Sequence, residues 1–228
     1  NSPQLIIAAL LGACVWEIAT WLWALPVSSS HALVGGLLGS GVAALGFGGI
    51  HWSKVVLVFA ALLLSPVLGI GTGYVLMRIS RFFFAKTRMS IARADRFYRH
   101  MQILSSSWVS FSHGSNDATK VMGIIIIFLA AQKGLGVSDY VGEHGFPIWV
   151  ILSCAAAMAV GTFLSVKSFR LIRTLGEKIT KLHPINGFSA ESGGAVVILL
   201  ASLFGLPVST THVVTSAVTG TGLASKLG

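Results

Sequence analysis

The chain has 228 residues, of which 54% are hydrophobic and only 10% charged, and its mean hydropathy is +0.82. A soluble domain carries about 25% charged residues, so this composition leaves too little polar surface to face water on every side. The net charge of +9 argues for no nucleic-acid platform, because the basic residues are gathered in two blocks between apolar segments, as in the cytoplasmic loops of membrane proteins that also meet anionic lipid.

Apolar stretches run near residues 3–24, 32–50, 53–77, 101–112, 118–132, 146–166, 190–205 and 213–226. The first holds Glu17 among Trp16, Trp21 and Trp23. A carboxylate at membrane depth costs about 3 kcal/mol on insertion scales; beside these tryptophans it reads equally as an interfacial residue or as part of an ion path. The segment Pro26-Val-Ser-Ser-Ser-His31 separates the first stretch from the second. Residues 55–77 carry no charge. At about 1.5 Å per residue they suffice to cross about 30 Å of hydrocarbon.

Arg78, Arg81, Lys86, Arg88, Arg93, Arg96 and Arg99 follow. They predict a basic cytoplasmic loop over 78–100, dividing a first transmembrane part (1–77) from a second (101–228). Within the second part, Ser112-His-Gly-Ser-Asn-Asp117 interrupts an apolar run. Gly114 permits unusual backbone, and Asn116 and Asp117 suit a helix cap or a broken turn. Their oxygens, with unwound carbonyls, would form the hard ligand set that Na⁺ requires, and an acid in this polar company marks an ion path. Lys120, one turn on, is placed to neutralise Asp117 or to touch an anion.

The mixed-charge stretch from Lys133 to His144 is assigned to the outer side, and residues 146–166 form another full-length apolar span. The second basic block is Lys167, Arg170, Arg173, Lys178 and Lys181. Glu191 then opens an apolar run that ends in Pro207-Val-Ser-Thr-Thr-His212. Cys14 and Cys154 lie inside apolar runs and read as small buried hydrophobes; no transition-metal ligand spacing is present.

Residues 25–41 (LPVSSSHALVGGLLGSG) and 206–222 (LPVSTTHVVTSAVTGTG) read as copies. Irregular backbone is tolerated at membrane depth only where protein buries it or a wet cavity receives it. Interrupted segments at matching places in two halves point to a transporter binding site. Pro sets each turn, and Ser28–Ser30 or Ser209–Thr211 then open the next helix. Free N–H groups and hydroxyls at that end suit an anion. His31, His113 and His212 are candidates for a proton relay or for structural roles. With the first two stretches taken as a re-entrant hairpin the copies are inverted, and with a single crossing they are parallel; inversion is the preferred reading. Acids beside an anion seat call for a cation between them, which predicts cation–anion symport and no enzyme.

GSNDATKVMGII at 114–125, the run from Gly187 to Val218 and ALPVSSSHALVGGLLGS at 24–40 closely resemble the inorganic phosphate transporter (PiT) family. That resemblance implies an all-α integral membrane protein, a secondary transporter of inverted repeats with broken or re-entrant helices. It would carry phosphate across the cell membrane with Na⁺ or H⁺ by alternating access. By the resemblance Ser28, Ser29, Ser30, Asn116, Asp117, Ser209, Thr210 and Thr211 are the phosphate-site residues. Asn116, Asp117 and Glu191 are those of the coupling cation. The family carries a Gly-x-Asn-Asp copy in each repeat and only the second is present here, so an N-terminally incomplete chain is expected.

No cofactor is expected beyond the coupling ion. The expected partners are inorganic phosphate, that cation and the lipid bilayer, without nucleic acid, and a homo-oligomer is compatible with this build. A carrier of sulfate or another oxyanion is the nearest alternative. Phosphate near neutral pH can donate a hydrogen bond to an acceptor such as Asp117 and sulfate cannot, which favours phosphate. A non-transporting oxyanion sensor is the alternative from another class.

Overall fold

A computed structural model of the chain describes residues 3–25, 27–87, 89–166 and 183–226, and among these every regular element is helical. Pro26, Arg88 and the second basic block, Lys167 to Lys181, lie outside the described residues. The helices are α1 (Pro3–Leu22), α2 (Ser29–Leu45), α3 (Trp52–Thr87), α4 (Ile91–Gln132), α5 (Val137–His144), α6 (Ile148–Val166), α7 (Pro184–Leu203) and α8 (Thr210–Lys226). A 3₁₀ turn, Phe47–Gly49, joins α2 to α3. Among the described residues α1, α3, α4 and α7 are each long and apolar enough to cross a bilayer, and α5 with α6, bent by 107°, has the build of a broken span or a re-entrant loop.

Helix is the only open structure that satisfies its own backbone polar groups in lipid, which explains why so uniform a composition gives so uniform a fold. Side chains are distributed as lipid requires. Along α1, Ile7, Leu11, Val15, Ile18 and Leu22 are exposed, whereas Ala9, Ala13 and Thr20 are buried. Small residues thus face protein and large apolar ones face outward, the arrangement that lets membrane helices approach closely.

The described residues form two compact units. One comprises the chain up to Ser53 and the part from Gly114 onward through α6. There α1 and α2 fold back on each other, and Gly36 lies so close to the Ala9 carbonyl that no side chain fits between. The second half of α4 packs on α5 and α6 through Ala118, Ile126, Ala130, Tyr140, Val150 and Cys154.

The other unit comprises Lys54–His113 with α7 and α8. Its α7 and α8 pack together around Val197, Ile198 and Val213. Helix α3 meets α8 at glycines. A Cβ on Gly69 would strike Ser216, one on Gly73 the Ala217 carbonyl, and one on Gly220 the Ile70 carbonyl. Gly69 and Gly73 form a G-x-x-x-G pair, the spacing that brings two helix backbones together. Pro66 lies inside α3 and removes one rung of its hydrogen-bond ladder, the one to the Leu62 carbonyl.

Two sequence expectations change here. The run 78–100, read as a loop, is helical at both ends, since α3 continues to Thr87 and α4 begins at Ile91. Arg and Lys are good helix formers, and a charged stretch outside the hydrocarbon has no reason to unwind. Nor does the chain break at Ser112–Asp117, because α4 runs through it without interruption. The Asn, Asp, Ser and Gly preferences for caps and turns amount to fractions of a kcal/mol each, less than the cost of exposing unpaired backbone at depth.

Candidate functional site

The two copied segments do form breaks, and their geometry agrees residue by residue. In the first reversal, Leu25 N donates to the Thr20 carbonyl at 3.0 Å and Ala24 N to that of Trp21 at 3.0 Å. In the second, Leu206 N donates to Ala201 at 2.9 Å and Gly205 N to Ser202 at 3.1 Å. The residue that turns the chain is left-handed in both, Ala24 at φ 55° and Gly205 at φ 64°. Ser28 then caps α2, accepting from His31 N at 3.4 Å, and Ser209 caps α8, accepting from His212 N at 3.2 Å. These serines satisfy donors that the helix start leaves open.

Beyond the caps the surroundings diverge. In the first unit Ser29 Oγ donates to Asp117 Oδ2 at 3.1 Å. Lys120 Nζ pairs with Asp117 Oδ1 at 2.9 Å and donates to Ser30 Oγ at 2.6 Å. Asp117 and Lys120 are 12% and 17% exposed, so this pair is largely desolvated. Glu17, Ser29, Ser30, Asp117 and Lys120 line one cavity of about 410 Å³ between α1, α2 and α4, closed by Leu10, Ala13, Ile18 and Met158. Asn116 is buried on α4 beside Asp117. The continuous helix keeps its own carbonyls, so a cation here would draw on side-chain oxygens rather than on unwound backbone.

In the other unit Ser209 and Thr210 are buried and Thr211 is half-buried. The backbone N–H of Ser209 donates to Ser65 Oγ on α3 at 3.3 Å. Glu191 lies about two turns into α7, where it accepts from Ser105 Oγ at 2.5 Å and Gln102 Nε2 at 3.4 Å, both from the first half of α4. The close approach is made by Gly187, which leaves room for the Gln102 amide. Two further bonds fix this wall, Ser189 to Ser80 at 3.0 Å and Asn186 to Ser225 at 3.1 Å.

Of the histidines, His31 lines a groove between α1 and α2 with Ala8, Gly12 and Trp16, His113 is half-buried on α4, and His212 is exposed. Sequence reasoning named Ser28–Ser30, Asp117 and Lys120, and the structure brings Ser29, Ser30, Asp117 and Lys120 together. It missed Ser105 and Gln102 as the partners of Glu191. Their signal was present: Gln102, Ser105, Ser112 and Asn116 recur at helical spacing and put one polar stripe along α4.

Capped helix reversals, half-buried carboxylates, buried hydroxyls and apolar outer faces define a multi-pass membrane protein with polar sites inside its helix packing. The chain belongs to the phosphate transporter family, whose model matches residues 3–96 and 85–227.

Among its relatives is a probable low-affinity inorganic phosphate transporter of Rhizobium meliloti (strain 1021). It is 43% identical over 226 residues, which cover 99% of this chain and 65% of that protein. A Bacillus subtilis (strain 168) protein of the same description is 37% identical over 227 residues, covering 100% of this chain and 66% of its own. A solved structure, described as the sodium-dependent phosphate transporter, superposes with a TM-score of 0.79 at 26% identity, covering 100% of this chain and 72% of that one. The chain therefore spans about two thirds of the length of the two curated relatives.

Proposed function

We propose that this chain belongs to a symporter that moves inorganic phosphate across the cell membrane with Na⁺, by alternating access of two inverted repeats. The relatives described as phosphate transporters and the sodium-dependent structural neighbour support the substrate and the coupling ion. The observation that carries the reading is the Lys120–Asp117 pair at the start of α2.

The ammonium of Lys120 and the hydroxyl of Ser29 are spent on Asp117. Phosphate oxygens accept from the same donors, Lys120, Ser29 and Ser30, at a helix start whose dipole favours an anion. Each donor that turns to phosphate leaves Asp117 poorer. Two unit charges of like sign about 4 Å apart repel by about 4 kcal/mol at an effective dielectric of 20. A Na⁺ taken up by Asp117 removes that repulsion, so binding of the anion depends on the cation.

The second reversal contributes Ser209, Thr210 and Thr211 as hydroxyl donors in its own unit. Glu191, held by Ser105 and Gln102, is the carboxylate that its own unit offers to a coupling cation. Asn116 adds an amide beside Asp117. His31, His113 and His212 serve structure or proton transfer in this scheme.

The test is uptake of ³²P-labelled phosphate by the full-length protein in proteoliposomes. An inward Na⁺ gradient should drive accumulation, and excess sulfate should compete weakly. Undiminished uptake with neither Na⁺ nor a proton gradient would overturn symport, and sulfate competing as well as phosphate would overturn the substrate.

A further inference from the structure

The cavity between α1, α2 and α4 contains two carboxylates and one ammonium, namely Glu17, Asp117 and Lys120. Lys120 is committed to Asp117 and Ser30. Glu17 lies within Coulombic reach of Asp117, and its Oε1 is buried without a hydrogen-bond donor. Around it the wall is apolar, formed by Leu10, Ala13 and Ile18. Glu17 is half-buried, and the oxygen that is out of reach of water has no donor to replace it.

Resting on the carrier reading above, we propose that Glu17 is a ligand of the coupling cation and that its charge makes the cavity take up Na⁺ before phosphate. With Lys120 neutralising Asp117, Glu17 leaves one negative charge in excess, and an incoming oxyanion would add to it. A single Na⁺ among the carboxylates of Glu17 and Asp117 and the hydroxyls of Ser29 and Ser30 cancels the excess. Those are four hard oxygen donors on the lining of one cavity, which suits an alkali cation and no soft metal. Na⁺ among these oxygens also takes over the counter-charge of Asp117, which frees the Lys120 ammonium for the anion. Cation first, anion second is the order this charge balance imposes.

The experiment measures ²²Na⁺ binding to the purified full-length protein in the absence of phosphate, together with the Na⁺ dependence of phosphate uptake, for the wild type, Glu17→Gln and Glu17→Asp. The wild type should bind Na⁺ without phosphate. Glu17→Gln should lose that binding and need about tenfold more Na⁺ for half-maximal uptake, with the phosphate KM at saturating Na⁺ little changed. Glu17→Asp, which keeps the charge, should retain phosphate-independent binding.

Wild-type binding of Na⁺ by Glu17→Gln, or a wild type that binds Na⁺ only with phosphate present, would overturn the proposal. So would equal loss in both variants, which marks a structural role. If the wild type moves no phosphate under any gradient but still binds Na⁺ in a Glu17-dependent way, the carrier reading fails and the Glu17 site stands.

Discussion

The two chain reversals share a backbone and differ in everything that touches it. Both turn through a left-handed residue, and both cap the following helix with a serine that accepts from the histidine N–H three residues on. In the first, the hydroxyls that follow the cap meet an acid and a lysine on α4. In the second, the cap serine is fully buried, its N–H held by the neutral hydroxyl of Ser65, and the next threonine is buried with it. A duplicated segment therefore fixes how the chain turns, because caps and φ angles are local. What the turn binds is decided by neighbours from elsewhere in the sequence, and these have diverged into a charged setting and a neutral one.

The largest test of that contrast is Asp117→Asn. It strips the charge partner from Lys120 and one acceptor from Ser29, a loss of about 3 kcal/mol for a largely buried pair, or roughly 100-fold in phosphate uptake. Membrane insertion, followed by detergent extraction and size-exclusion profile, should be unchanged. Near-normal uptake would erase the distinction between a working charged reversal and its neutral counterpart.

The caps sharpen the comparison at smaller scale. Ser28→Ala and Ser209→Ala should each lower stability by about 1 kcal/mol, read as the thermal unfolding midpoint in detergent. Both serines are buried, and Ser209→Ala should cost the more because its cap bond is the shorter, 3.2 Å against 3.4 Å. Equal losses would mean that cap geometry does not separate the two turns.

The smallest effect concerns the turning residue itself. Ala24→Gly should raise stability by about 0.5 kcal/mol, since a Cβ is disfavoured in the left-handed region by more than glycine costs in chain entropy. Gly205→Ala should lower it by about 1 kcal/mol. A destabilised Ala24→Gly variant would show that the Ala24 methyl has a packing role for which its counterpart needs no equivalent.

Much of this architecture could be read from the sequence. Apolar runs marked most of the spans, and the copied Pro-Val-Ser segments marked both reversals, because a proline followed by hydroxyls leaves a helix few alternatives. Reading failed where local preference and membrane depth disagree. Gly114, Asn116 and Asp117 carry the composition of a turn, yet they continue α4, since lipid penalises an open backbone more than those residues resist the helix. The polar stripe of α4 was legible, but its pairing with Glu191 and the approach of Lys120 to Ser30 were out of reach for a different reason. They join residues about 90 positions apart, and no spacing rule along one helix encodes them. The crossing of α3 and α8 was half legible: Gly69 and Gly73 advertise a close contact, but not with which helix.

One consequence follows from Pro66. It sits next to Ser65, whose hydroxyl grips the end of the second reversal, at the cap of α8. The same level of α3 is thus both its handle on the turn and the place where its own ladder lacks a rung. Force passed from the turn into this rod arrives where the rod bends most cheaply, so α3 is jointed at its point of attachment.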